Sequence, residues 1–405
     1  MASLRTIKKE EIYLKSLLKN MPKDNHPDYI LLGAVIILIV LGILALASAS
    51  ALTSLDRFGT PYYFLTHQIY GLILGIILAF LAFKISLFDF KKWAPRLLFL
   101  NLILMALVFV PSLGGSFWGA SRWISLGPIS FQPSEFLKIT FFIYLAAWLS
   151  RVDYLTPNSN IKKTWRTKVK RFNFSNLTLG LTDRFIPFLI IIGVIGSFLI
   201  AQPDISTLGI ITLVAILIYF SAGGPIFHSV LIVSLSLASL FVLVNIAPYR
   251  INRLLVFLNP DIDPMGIGYQ VKQALIAIGS GGIFGLGLGM GVQKLGFLPQ
   301  PMSDAIFAVF VEETGFIGSL ILIIAFLIFF WRGIEIAKRA KDKFSKLLAL
   351  GVSCWIIIQA LTNIGAMVGI LPLTGIPLPF ISYGGSALVA ELIGVGILLN
   401  ISKSV

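Results

Sequence analysis

An all-α polytopic membrane protein is the fold class this sequence predicts, and three observations predict it. The chain of 405 residues is 57% hydrophobic and only 12% charged, and its mean hydropathy is +0.93. A soluble domain carries roughly 45–50% apolar and about 25% charged residues, so the composition excludes a water-soluble fold of this size. The apolar residues also gather into runs, and about 20 of them in sequence cross a bilayer core. Ten runs approach that length, at 30–51, 68–86, 97–111, 134–150, 185–201, 205–222, 226–247, 306–331, 346–370 and 386–402. The expected architecture is therefore about ten transmembrane helices with a large outer loop and re-entrant segments.

Residues 1–29 form a polar tail that is expected to stay cytoplasmic, and no cleavable signal is expected, since Ala47-Ser48-Ala49 lies inside the first run. With the N-terminus inside, the segments 1–29, 84–96, 151–184, 332–346 and the tail 403–405 hold 25 of the 32 Lys and Arg residues. The positive-inside rule then places both termini in the cytoplasm and makes 30–402 a single transmembrane domain. It also explains most of the +14 net charge without a nucleic-acid partner. The basic loop 151–184, with Lys162-Lys163-Thr164-Trp165-Arg166, reads as a topology anchor touching anionic membrane lipid. One cysteine, Cys354, and three scattered histidines (His26, His67, His228) leave no ligand set for a metal centre.

Segment 248–305 is the large outer loop. It is too apolar and Gly-rich for a soluble domain, and Val271–Ile278 is expected to form a short interfacial or re-entrant helix. Loops of this length are where function usually lives.

Four polar clusters stand out against the apolar background. In Gln132-Pro133-Ser134-Glu135-Phe136-Leu137-Lys138, proline opens a helix and Glu135 falls in the first turn, where the dipole favours an anion. Lys138 is one turn on and can pair with it. The pair serves either to hold helices together or to face a polar cavity. Just upstream, Arg122 beside Trp123 suits phosphate or lipid headgroups. The glycines from Gly279 to Gly291 permit either close helix packing or close approach to phosphate, and packing is the simpler reading. In Leu298-Pro299-Gln300-Pro301-Met302-Ser303-Asp304, the aspartate either caps the helix that follows or acts as a general base with a burial-raised pKa. Finally, Pro377-Leu378-Pro379-Phe380-Ile381-Ser382-Tyr383-Gly384-Gly385 is too rich in proline and glycine for a helix yet apolar enough to enter the membrane. A re-entrant loop satisfies both facts, with Ser382 and Tyr383 offering hydroxyls at its rim. From these residues alone, a transporter and a lipid-handling enzyme remain equally open.

Taken in order, these clusters resemble the SEDS family (shape, elongation, division and sporulation). The residues that carry the likeness are Gly119-Ala120-Ser121-Arg122-Trp123-Ile124, Phe131-Gln132-Pro133-Ser134-Glu135, Gln202-Pro203-Asp204, Ala277-Ile278-Gly279-Ser280-Gly281-Gly282 and Pro377–Gly385. Tyr269-Gln270 and Gly289-Met290-Gly291-Val292-Gln293-Lys294 look more like the family's division member than its elongation member. The resemblance implies ten transmembrane helices and a peptidoglycan glycosyltransferase that polymerises lipid II outside a bacterial cytoplasmic membrane during septal synthesis. Its essential aspartate maps onto Asp304. The family pattern has histidine two residues earlier and an aromatic residue directly after, where this chain has Met302 and Ala305. Arg122, Glu135, Lys138, Arg250, Arg253, Ser382 and Tyr383 are candidate contacts for the substrate headgroup and pyrophosphate. The implied cofactor is at most Mg²⁺ or another divalent cation shared with that pyrophosphate, with no organic cofactor. Implied partners are a class B penicillin-binding transpeptidase and other division proteins. A lipid II flippase and a non-catalytic division scaffold are the competing classes, together with an elongation-type polymerase.

Overall fold

The computed structural model describes residues 26–111, 114–117, 120–126, 129–151, 185–246, 248–259, 266 and 268–404. Most of the expected N-terminal tail and almost all of the basic loop 151–184 lie outside the described residues.

Ten helices correspond to the ten apolar runs: α1 (Tyr29–Phe58), α2 (Tyr63–Lys84), α3 (Leu87–Leu107), α4 (Pro133–Ser150), α5 (Ile186–Ala201), α6 (Ile205–Ser221), α7 (Ile226–Ile246), α10 (Ile306–Arg339), α11 (Lys343–Met367) and α12 (Gly385–Ser402). Two short helices, α8 (Pro248–Leu258) and α9 (Tyr269–Ser280), lie between the seventh and eighth of these. By length and apolarity, α1, α2, α10, α11 and α12 can each cross a membrane, which makes the chain a multi-pass membrane protein.

Local chemistry sets the boundaries. Asp28 caps α1, its carboxylate accepting from the Leu31 amide at 2.9 Å, and Gly59 ends the helix in the left-handed conformation. One boundary differs strongly from the hydropathy reading. The run at 97–111 is the second half of a helix that starts at Leu87. Ser86 caps it, accepting from the Asp89 amide at 3.1 Å, and the polar first turns with Lys91 and Lys92 hide this half from a hydropathy search. A second difference is a small antiparallel meander of β1 (Gly114–Phe117), β2 (Ala120–Leu126) and β3 (Ile129–Phe131), pairing in the order β1-β2-β3. Among the described residues this meander is the one sheet, and the other regular elements are helices.

Helix α11 runs through the core, with Trp355 fully buried, and packs against α4, α6 and α10. Helices α2 and α12 form the most extensive pair. Gly396 makes this approach possible, because a Cβ there would overlap the Ala79 backbone. Between α11 and α12, residues 368–384 are non-helical, while Ile376, Leu378, Phe380, Ile381 and Ser382 are buried. An irregular backbone covered by helices is what a re-entrant loop requires.

Candidate active site

The glycine-rich stretch after α9 is a packing device. A Cβ at Gly281 would overlap the Val311 backbone, and one at Gly285 would overlap Glu313. Leu286 and Gly287 donate to the carbonyls of Glu312 and Glu313, each at 3.0 Å, where Gly315 (φ +67°) breaks α10. Glu312 then accepts from the amides of Val292 (2.9 Å) and Gln293 (3.2 Å). Lys294, within the segment 248–305 expected to form the outer loop, is buried and pairs with Glu313 at 2.5 Å. This anchored segment leads directly to Asp304.

Asp304 does not cap the helix it precedes: the N-cap of α10 is Ala305, and no side chain bonds the first turn. The carboxylate is instead turned toward Gly375, where a Cβ would lie 3.5 Å from Asp304 Oδ2 and 4.0 Å from Arg253 Nη1. Both side chains thus come to the backbone at residue 375, where glycine adopts a φ of +69° that other residues rarely take. Arg253 also donates to the Leu373 carbonyl at 3.2 Å. It lines a cavity of about 380 Å³ between α8, α9 and the segment after α11, whose walls include Asn252, Gln270, Leu371, Pro372 and Leu373.

Arg122 on β2 is fixed to the α5–α6 junction, its Nε donating to the Gln202 carbonyl at 2.9 Å and its Nη2 to the Pro203 carbonyl. Asp204 caps α6 through the Thr207 amide at 3.3 Å, and Ser206 at the start of α6 donates to the Thr374 carbonyl at 2.6 Å. The mouth is thus assembled from β2, the start of α6, α8 and the loop before α12. Burial pushes the Asp304 carboxyl above its ordinary range, and the charges of Arg253 first and Arg122 second oppose that shift. Two arginines from other elements thus set the field at Asp304.

The remaining predicted residues fall elsewhere. Glu135 and Lys138 form the expected pair at 2.7 Å, buried in the bundle, with Lys138 donating to Gln359 Oε1 at 3.0 Å and lying over Trp355. Ser382 corrects the expectation of a rim hydroxyl, because it is buried and its Oγ donates to the Ser303 carbonyl at 2.6 Å. Tyr383 is partly buried against Phe64. The side chain of Arg250 lies outside the described residues. Sequence reasoning missed Asn363, Gln359 and Glu391, three buried polar groups in helices. The available signal was their polarity within apolar runs. Among the described residues, no group of three or more His, Cys, Asp or Glu side chains could hold a metal ion.

The arrangement offers a proton acceptor of raised affinity beside cations and a cavity, a combination suited to deprotonating a hydroxyl near an anionic leaving group. Comparison with known proteins fits that chemistry. The chain is 36% identical to stage V sporulation protein E of Bacillus subtilis over 381 residues, covering 94% of this chain and 98% of that one. It is 37% identical to a probable peptidoglycan glycosyltransferase FtsW of Trichlorobacter lovleyi, covering 93% of each. Among solved structures it resembles, at TM-score 0.73 and 26% identity, a chain from work on structural coordination of polymerization and crosslinking by a peptidoglycan synthase complex, covering 93% of this chain and 98% of that one. The rod shape determining protein RodA of Thermus thermophilus matches at TM-score 0.63 and 26% identity, covering 93% of this chain and 97% of that one. The family model FtsW/RodA/SpoVE, described as cell cycle protein, matches residues 29–405, and the chain belongs to that family.

Proposed function

We propose that this chain is a peptidoglycan glycosyltransferase that polymerises lipid II into β-1,4 glycan strands, with Asp304 as general base. One observation carries the reading: Asp304 makes no capping bond to α10 and shares a mouth with Arg253, and Arg253 lines the adjoining cavity. The names of the FtsW relatives support the reaction class.

Lipid II links a sugar through its anomeric carbon to a lipid pyrophosphate. The acceptor's 4-hydroxyl attacks that carbon while Asp304 takes its proton. The bond from the anomeric carbon to the pyrophosphate oxygen breaks as the new glycosidic bond forms, so an α-linked donor gives a β-linked product. Arg253 and Arg122 oppose the negative charge that grows on the leaving pyrophosphate. A single carboxylate beside two cations does not hold a divalent ion by itself. Mg²⁺ would reach this site on the pyrophosphate, and no step above is routed through it.

The basic residues counted on one side support cytoplasmic termini in a bacterial cytoplasmic membrane, and the FtsW relatives support septal synthesis. The likeness to RodA favours a second reading, elongation rather than division. The synthase-complex neighbour supports a class B penicillin-binding transpeptidase as partner. Gel analysis of products from purified protein and lipid II, with and without that partner, tests the reaction. A ladder of glycan polymers is expected. Lipid II transport across vesicles without polymer would establish a flippase instead.

A further inference from the structure

The three residues that end in the candidate base present three successive carbonyls, and each is held by a donor from outside the segment. The Met302 carbonyl accepts from the Tyr383 amide at 2.8 Å. The Ser303 carbonyl accepts from Ser382 Oγ at 2.6 Å. The Asp304 carbonyl accepts from Asn363 Nδ2 at 2.8 Å. None of these donors comes from the segment itself; two belong to the re-entrant loop and one to α11.

Asn363 joins these parts. Only 1% exposed, its Nδ2 also donates to the Ile376 carbonyl at 2.8 Å, so one amide group ties the base-bearing segment to the start of the loop. Ser382 repeats the arrangement, accepting from the Leu378 amide at 2.8 Å while it donates to Ser303. The loop is itself held from beneath. Gln359 donates to the Pro377 carbonyl at 3.0 Å. Glu391 accepts from the Phe380 amide at 2.8 Å, at a residue in the left-handed region (φ +63°) that a bulky side chain rarely adopts. Gln68 donates to the Ser382 carbonyl and accepts from the Gly384 amide. The backbone of Asp304 is thus clamped while its carboxylate faces Gly375 and Arg253.

We infer that Asn363 and the loop 376–383 form a backbone cradle that positions Asp304, and that Asn363 is a positioning residue for the transfer reaction. This rests on Asp304 being the base. Displacing a reacting group by about 1 Å costs on the order of 10²-fold in rate, and a clamp on three consecutive carbonyls opposes such a displacement.

The test compares kcat and KM for lipid II polymerisation by the purified full chain, its partner transpeptidase present, in four variants. Asn363→Leu keeps the shape and removes both bonds. It should still fold, with a lowered melting midpoint because two carbonyls lose their donor, and at equal folded concentration lose about 10- to 100-fold in kcat, with KM changed by less than about twofold. Ser382→Ala should lose kcat in the same way, and Ser382→Thr, which keeps the hydroxyl, should recover most of it. Asp304→Asn serves as the reference. If it is inactive while Asn363→Leu and Ser382→Ala turn over like wild type, the cradle is refuted and the base stands. A raised KM with unchanged kcat would make Asn363 a binding group and also refute the cradle. If Asn363→Leu does not fold, the Ser382 pair decides: equal rates for Ala and Thr overturn the inference, and loss in Ala with recovery in Thr upholds it. Wild-type polymer from Asp304→Asn would remove the base and the cradle together.

Discussion

Glu135 and Asp304 are both carboxylates withdrawn from water, and the fold treats them in opposite ways. Glu135 finds its cation one turn along the same helix, at 2.7 Å, and Gln359, Trp355 and the buried carboxylate of Glu391 also surround that lysine. Asp304 has its cations on other elements, Arg253 on α8 and Arg122 on β2, and shares with Arg253 a glycine-floored mouth beside a cavity. A charge neutralised within its own helix is part of the scaffold. A charge balanced by separate elements around a space is placed to act on what enters that space.

The largest effect short of removing the carboxylate is expected from Asp304→Glu. The extra methylene pushes the base toward Gly375, and polymerisation should fall by roughly 10²-fold with folding retained, as steady-state assay and thermal melting will show. Arg253→Gln comes next. Asp304 must be unprotonated to accept a proton, so activity should rise with pH along a limb lying above the ordinary carboxylate range. Removing the larger opposing charge lets burial raise the carboxyl further, so the limb should move to higher pH in a pH–rate profile. An unmoved limb would detach Arg253 from the base.

The other side of the comparison is read in stability. Breaking a buried ion pair by removing one partner costs about 3–5 kcal/mol, more than replacing both partners. Glu135→Gln with Lys138→Met should therefore melt higher in detergent than either single variant. Additive losses would show that the two do not interact. The smallest effect is expected from Gly375→Ala: its Cβ meets Asp304 Oδ2 at ordinary contact distance, while the positive φ costs roughly 1–2 kcal/mol, measurable as a modest fall in melting midpoint.

Hydropathy located the helices because a membrane helix must be apolar over its whole length, whatever it packs against. It failed at Leu87–Leu107, where the first turns carry charge, and at the β1–β3 meander, whose short strands have no such length requirement. The Glu135–Lys138 pair was legible because helical spacing alone brings i and i+3 together. For Asp304 the residue chemistry alone left an even choice between cap and base, and only the resemblance pointed to the base; its surroundings were not legible, since Arg253 and Gly375 are 51 and 71 residues away in sequence. Ser382 shows the same limit: its residue type suggested a rim hydroxyl, and only the tertiary path of Ser303 reveals a buried tie. Asn363 and Gln359 vanish in a hydropathy average, although an isolated amide in an apolar helix is itself a signal.

If Asp304 is the base, its carboxylate and not merely a polar group at that position must drive transfer. The direct test is glycan synthesis by purified Asp304→Asn, which keeps the size and removes the base, set beside wild type at equal folded concentration. Polymer should fall by about 10²- to 10⁴-fold, with the melting midpoint and membrane insertion unchanged. Wild-type levels of polymer from Asp304→Asn would show that Asp304 is not the base.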